Sequence, residues 1–347
     1  MIGRRTAGRA LRRLGVRPQP LGPWIVTEEQ PDDCSPLEEI RMFAILGAWM
    51  EGDVVEANVK NAMLQGCERV FLVDNDSSDD TVAAALDAGA ELADVFSTDE
   101  YDETLRLDIM NRVVHEASVG DGAEHIWWLW LDADEFPHGP AGLTVRQHLE
   151  RLDRRFRIVG ARYFNHYPDR SPAYRSGFHP LDFQPLCEEH RLRTCRELHR
   201  KHPLQRFDRN GSPIVCGRGF HAAESDERPL REPAAPIFLH HFPYREEQLT
   251  RRRLDLLCRA DASGSTRARD GDDASEGILL RYRTLDAVYA GDWDAVAENR
   301  LAGDFGPEHP IPWEQAVAPE DVDAARWYPT EASLRTGAPE SPRSAAE

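Results

Sequence analysis

Residues Trp127 to Phe136 read W-W-L-W-L-D-A-D-E-F, an apolar run of strand length that stops on Asp132, Asp134 and Glu135. Bulky apolar residues without polar alternation mark a strand buried on both faces, as in a sheet covered by helices. Carboxylates at its C-terminal end stand where open α/β sheets bind their ligands. Hard oxygen donors in that place suit a cation. The plainer reading is a solvated turn, and Pro137, Gly139 and Pro140 do predict one. A turn alone leaves the D-x-D spacing unexplained. In an extended segment alternate side chains share a face, so Asp132 and Asp134 are expected to project together, with a repulsion that a cation or protons offset.

Upstream, strand and helix patterns alternate. Arg41 to Gly47 reads as a buried strand, and Val55, Val59, Ala62 and Met63 follow at helical spacing, with Gly66 as the stop. Arg69 to Val73 is the next strand. It closes on D-N-D-S-S-D-D-T, Asp74 to Thr81, ahead of an alanine-rich helix to about Ala88 for which Ser78 or Asp79 is the expected cap. Leu92 to Phe96 reads as a third strand, and Leu105, Ile109 and Val113 mark a helix before the acidic strand. This βαβαβαβ order predicts an α/β fold, Rossmann-like, with a mostly parallel sheet and helices on both faces. Right-handed crossovers then bring both acidic clusters to one edge.

Downstream, Ile158 to Phe164 and Ile237 to His240 read as strands, while Pro180 to Phe220 shows no sustained period. Glu246 to Arg259 and Ile278 to Ala290 read as helices, the second with Ile278, Tyr282, Leu285 and Tyr289 along one face. The predicted organisation is a basic arm and linker over 1–36, a catalytic domain over 37–245, a helical extension over 246–329 and a disordered tail over 330–347.

A chain of 347 residues holds one large domain or two ordinary ones, and no apolar stretch is long enough to span a bilayer. Residues 1–24 carry six arginines (Arg4, Arg5, Arg9, Arg12, Arg13, Arg17), no acid and no apolar core of a secretion signal. They read as a disordered basic arm, or as a segment touching nucleic acid or anionic lipid, the latter as a peripheral contact at the inner face of the membrane. The formal charge of −19 argues against nucleic acid as the main partner. Six scattered cysteines without a secretion signal predict reduced thiols and a cytoplasmic location. Cys187, His190, Cys195 and His199 have a spacing that suits zinc, although such spacings arise readily by chance.

The pairing of V-D-N-D-S-S-D-D-T with W-L-D-A-D-E-F some fifty residues later resembles the family 2 glycosyltransferases of the GT-A fold. The likeness is greatest to a bacterial branch with D-N-x-S-x-D-x-T and D-x-D-E-F motifs, over Met42 to Pro137. The resemblance implies a nucleotide-diphosphate sugar as donor, Mn2+ or Mg2+ as cofactor, and a hydroxyl acceptor on a glycan, lipid-linked or small molecule. By position, Asp74 and Asp76 fall on the nucleoside contacts. Asp132 and Asp134 fall on the D-x-D, with Asp134 as the more direct metal ligand. Glu51 falls in an Asn-Glu pair whose Asn is Met50 here. His241 to Arg245 matches a His-aromatic and Arg pattern that completes the metal shell or binds the pyrophosphate, His240 being the other candidate, and His221 with Lys201 falls on the acceptor side.

Loss of a pyrophosphate leaving group needs compensating charge, which supports the cation independently of the family. Arg106 or Arg112, on the helix before the acidic strand, is placed to touch a phosphate, although a helical arginine is often merely solvated. Inversion at the sugar needs a carboxylate base. The candidates are Asp182, Glu188, Glu189, Glu224 and Asp226, with Glu224 and Asp226 preferred for following His221. Two other functions compete. One is a sugar-nucleotide or glycan binding protein without turnover. The other is a sugar-phosphate nucleotidyltransferase, against which Gly47 to Gly52 lacks the basic residues of the usual loop.

Overall fold

A computed structural model of the chain describes residues 25–98, 102–169, 174, 176, 178–189, 201–227, 229–262, 284–298 and 309–325. The arginine-rich arm, the tail from Thr330, and His190, Cys195, His199, Ile278 and Tyr282 lie outside the described residues. Short strand β1 (Ile25–Glu28) precedes β2 (Arg41–Ala48), α1 (Val55–Leu64), β3 (Arg69–Asp74), α2 (Thr81–Asp87), β4 (Glu91–Val95), α3 (Glu103–Asp121) and β5 (His125–Asp132). The expected parallel strands are present, in the order β4-β3-β2-β5. Alternating strand residues serve two cores. Met42, Ala44, Leu46, Trp127, Leu129 and Leu131 pack with α1 and α2. Phe43, Ile45, Trp128 and Trp130 pack with Leu107, Met110, Val113 and Val114 of α3. Helices thus cover both faces, which is why these strands carry almost no polar residue.

Beyond β5 the sheet becomes mixed. The chain continues through β6 (Glu135–His138), the short helix α4 (Val145–Leu149), β7 (Ile158–Tyr167), β8 (Leu186–Glu189) and β9 (Lys201–Asp208). Strand β9 lies antiparallel between β5 and β7, inside the Arg/His-rich stretch that shows no period in sequence. Its polar residues Lys201, His202, Gln205 and Arg206 are all buried. A hairpin of β10 (Val215–Cys216) and β11 (Ala223–Glu224) leads to β12 (Leu230–Pro233) and β13 (Ile237–His241). Strand β13 runs parallel to β7 and antiparallel to β6.

The segments assigned to linker and extension both dock on this body. Strand β1 pairs with β12, and β14 (Ile311–Pro312) adds an edge strand to β8. Helix α5 (Glu247–Ala262) and the helical residues 284–290 pack near Tyr167 and Tyr244 through Leu254, Leu285 and Val288. Among the described residues no helix is long and apolar enough to cross a membrane.

Candidate active site

Strand β2 ends between the two acidic motifs: its Ala48 pairs with Asp74 of β3, and its Gly47 pairs with Asp132 of β5. Three parallel strands therefore deliver both motifs to one edge of the sheet. Gly47 lets Arg106 approach closely, since a β-carbon on it would stand 2.8 Å from Nη1 and oblige that side chain to shift. Three of the four non-glycine residues with positive φ cluster at this edge, namely Met50 (56°), Asp76 (49°) and Phe220 (60°). Such strain persists only where neighbours over-determine the backbone.

The loop after β3 is organised by Asp74. Its two carboxylate oxygens accept hydrogen bonds from the Ser77 amide (2.8 Å) and Ser77 Oγ (2.7 Å), so the side chain is turned into its own loop. Asp76 is exposed on the left-handed turn beside it. The loop after β2 is bound to this loop and to the start of α2: Met50 N donates to Ser77 Oγ at 2.9 Å and Glu51 N to Thr81 Oγ1 at 2.8 Å. The N-cap of α2 is Asp80, not Ser78 or Asp79, and its side chain makes no cap hydrogen bond; Asp79 instead accepts from the Thr81 amide at 3.1 Å, one residue ahead of that cap position.

The acidic segment differs from the extended D-x-D expectation. Asp132 ends β5, Ala133 and Asp134 form a turn, and Glu135 begins β6. The turn breaks the strand alternation and hands the two aspartates to different partners. Asp132 accepts from Arg106 Nη1 at 2.7 Å and pairs with Lys201 Nζ at 3.3 Å. Asp134 lies 3.5 Å from both His241 Nε2 and Arg245 Nη1. Lys201 also bonds the buried Glu135, with Tyr163 and Phe220 5.2 and 5.3 Å beneath its ammonium. Burial acts to raise the Asp132 carboxyl, but Arg106 and Lys201 outweigh it and hold the group below its ordinary range. Burial pushes Glu135 up to about 7 against the opposing pull of Lys201.

Asn58, on α1, holds the turn from below. Its amide nitrogen donates to the carbonyls of Ala133 (3.0 Å), Glu135 (2.7 Å) and Asp132 (3.3 Å). The only sequence signal for this role is a polar residue within an apolar helix stripe. Asn165 of β7 is equally silent in sequence: its Oδ1 accepts from His241 Nδ1 at 2.7 Å. With Nδ1 as the donor, a neutral His241 presents its acceptor nitrogen toward Asp134.

Glu51 and Asp53 converge on Arg245, whose side chain is fully buried. Arg245 Nε meets Asp53 Oδ2 at 2.8 Å, and Nη1 donates to the Phe242 carbonyl at 2.8 Å. Arg253 of α5 adds contacts to Asp53 (2.7 Å) and Glu51 (2.9 Å). Burial first, then the neighbouring Asp134 and Asp53, push Glu51 well above the ordinary carboxylate range despite Arg245. In all, the carboxyl groups of Glu51, Asp53, Glu103, Asp132, Asp134 and Glu135 face Arg106, Lys201, Arg245 and Arg253, a negative excess that the raised Glu51 and Glu135 reduce.

Asp134 and His241 are the pair that could hold a hard divalent cation, with Asp134 Oδ2 3.5 Å from the imidazole nitrogen and also 3.5 Å from Arg245 Nη1. Among the described residues no three His, Cys, Asp or Glu side chains converge into a cage. Two protein ligands completed by phosphate and water oxygens are the habit of Mg2+ and Mn2+. Asp132, the third expected ligand, is instead engaged by Arg106 and Lys201.

The remaining candidates are dispersed. Arg112 is spent on Asp94 and Glu116, away from the acidic turn. His240 is buried among aromatic rings and bonded to His166 at 2.8 Å, so of the two neighbouring histidines only His241 is brought to Asp134. Glu224 is buried in the β10–β11 hairpin and Asp226 is exposed after it. Glu227, the next residue, pairs with Arg157, whose other partner Asp208 meets His125 at the opposite end of β5 from Asp132. Glu189 pairs with Arg162 at 2.9 Å. Glu188 bonds Tyr167 and stands across from Asn165, on the sheet face that holds His241. Asp182 follows His179, whose ring packs edge-on against Phe136 at 4.4 Å, next to the acidic turn.

No protein-family model matches the chain, and no curated protein does. Among solved structures, glucosyl-3-phosphoglycerate synthase from Mycobacterium tuberculosis is similar at 16% identity over 35% of this chain and 44% of that one, with a TM-score of 0.25. The same enzyme in complex with Mn2+, UDP and glucosyl-3-phosphoglycerate is similar at 15% identity, over 35% and 44% of the two chains, with a TM-score of 0.25. Mannosyl-3-phosphoglycerate synthase from Rubrobacter xylanophilus is similar at 20% identity over 45% and 43%, with a TM-score of 0.26. The chain spans less than half the length of each of these structures.

Proposed function

We propose that the chain is a metal-dependent glycosyltransferase that moves a sugar from a nucleotide-diphosphate donor to a hydroxyl acceptor with inversion. One observation carries the reading: strand β2 sets its last two residues in register with Asp74 on one side and Asp132 on the other, so a nucleoside-binding loop and an acidic turn share one edge. A nucleotide diphosphate has the reach for that arrangement, with its nucleoside on the Asp74–Asp76 loop and its phosphates toward Asp134. Asp134 and His241 are the residues to hold Mn2+ or Mg2+, which when bound offsets the charge of the departing diphosphate. Arg106 and Lys201 stand beside the same turn, but their charge is committed to Asp132, Glu103 and Glu135, which leaves the diphosphate charge to the cation. For the base that accepts the acceptor proton the candidates are Asp182, Glu188, Glu189, Glu224 and Asp226, of which Glu188 stands across from Asn165 on the sheet face that holds His241.

The test is calorimetry with UDP- and GDP-sugars in the presence of Mn2+, followed by a turnover assay on wild type and Asp134→Asn. We expect one donor to bind and the variant to lose two orders of magnitude or more in turnover, of the order reported for loss of one charge-stabilising group. Failure of every nucleotide sugar to bind sinks the proposal, as does undiminished turnover in Asp134→Asn. Binding without any turnover in the wild type would favour the non-catalytic sugar-nucleotide binder.

A further inference from the structure

Met50 stands in the loop after β2 with φ of 56°, in the left-handed region that a side chain with a β-carbon avoids. Its Sδ accepts from the Ser78 amide and Oγ at 3.4 Å each, and two groups hold its backbone. Its amide donates to Ser77 Oγ at 2.9 Å, and its carbonyl accepts two hydrogen bonds from Arg253, from Nε at 3.1 Å and from Nη2 at 2.8 Å. Ser77 Oγ passes the chain on to Asp74 Oδ1 at 2.7 Å. A continuous run of hydrogen bonds therefore leads from α5, through a strained residue, to the carboxylate that organises the nucleoside loop. Arg253 also grips Glu51 and Asp53 on either side of Gly52. It is separated from Met50 by 203 residues, so α5 ties down a loop far from it in sequence.

We propose that Arg253 is a positioning residue for the donor site: through Met50 and Glu51 it presets the β2 loop, and with it Ser77 and Asp74, in the shape that takes a nucleotide diphosphate. This rests on the glycosyltransferase reading above. Arg253 need not touch the donor. Its guanidinium is committed to the loop backbone and two carboxylates, a fork that lysine reproduces only in part. Without it, Met50 is free to relax to negative φ, which withdraws its amide from Ser77 and loosens the Asp74 turn.

The experiment measures affinity for UDP and for GDP, each with Mn2+ in excess, and for Mn2+ alone, in wild type, Arg253→Gln, Arg253→Lys and the double variant Arg253→Gln with Met50→Asn. Asn adopts the left-handed region more readily than Met, so it lowers the strain that Arg253 restrains. We expect Arg253→Gln to bind the nucleotide about tenfold more weakly, equivalent to about 1.4 kcal/mol, with cooperative melting and Mn2+ affinity retained. Arg253→Lys is expected to lie between, and Met50→Asn to recover part of the loss. Unchanged nucleotide affinity in Arg253→Gln overturns the proposal. So does an equal fall in Mn2+ and nucleotide affinity, or a double variant no better than the single one, since either outcome marks general support of the fold. If the wild type binds neither nucleotide, it is the glycosyltransferase reading that fails.

Discussion

Asp132 and Asp134 are separated by one alanine and answer to different partners. Asp132 belongs to a charge cluster with Arg106, Lys201 and Glu103, and Asp134 to one with His241 and Arg245. What divides them is the turn at Ala133, and the turn is held by Asn58, a single side-chain amide feeding three carbonyls. Replacing Asn58 by Leu leaves those carbonyls buried without a donor, so a loss of roughly 2 kcal/mol in stability is expected. Replacing it by Asp is worse, because an acceptor then faces acceptors in a site already in negative excess. Urea unfolding measures the first effect and Mn2+ titration the second. Were Asn58→Asp as stable as wild type, the amide would not be what shapes the acidic turn.

At the scale of elements, β6, β7 and β13 bring His138, His166 and His240 together among Phe136, Phe164, Phe238, Phe242 and Trp313. Burial depresses His138 to about 4, His166 to about 3 and His148 to about 4, and lowers His179 and His240 well below the usual imidazole value. The unfolded chain takes up these protons near pH 6.5 and the folded chain does not. Stability therefore rises with pH between about 4 and 6.5, by about 1.4 kcal/mol per pH unit for each such histidine, and falls as acid is added. Glu135 and Glu51, raised in the folded protein, act in the opposite sense but are outnumbered. Denaturant midpoints measured from pH 4 to 7 check the sign. His138→Phe, whose ring can keep the stack on Phe238, is expected to flatten the slope. A slope that is flat or negative in the wild type would contradict neutral buried imidazoles.

The same elements show what was legible in sequence. Strands β2, β3 and β5 are apolar on both faces because helices lie on both, and their pattern announces it. Strand β9, K-H-P-L-Q-R-F-D, is no less central but is invisible to hydrophobic periodicity, because charged residues occupy its interior and are paired there. Lys201 is neutralised by Asp132 and Glu135, while Arg206 bonds Asp208 and the carbonyls of Arg154 and Phe156. At the site, Asp74, Asp134 and His241 could be singled out from motifs of contiguous residues. Asn58, Asp53, Asn165 and Arg253 could not, since each is an ordinary polar residue whose partner is fixed only by the tertiary fold.

For the whole molecule the decisive quantity is charge. A chain of formal charge −19 is expected to repel a nucleotide diphosphate, and the site itself gathers six carboxyl groups against four cationic side chains. Arg106, Lys201, Arg245 and Arg253 do not relieve this, because each is already paired with a carboxylate. Mn2+ is therefore expected to be a condition for nucleotide binding rather than an addition to it. In a thermal melt, UDP with Mn2+ at a hundred times its dissociation constant stabilises by about 2.7 kcal/mol, a rise of a few degrees in Tm for a protein of this size. UDP with EDTA is expected to give no rise, and Mn2+ alone a smaller one than the pair. Asp134→Asn is expected to abolish the synergy while keeping the melt cooperative, since its side chain is bonded at the rim of the core and not within it. A full UDP shift in EDTA would mean that the arginines and Lys201 leave their carboxylates to hold the phosphates by themselves, and Asp134 and His241 would then have to be assigned another part.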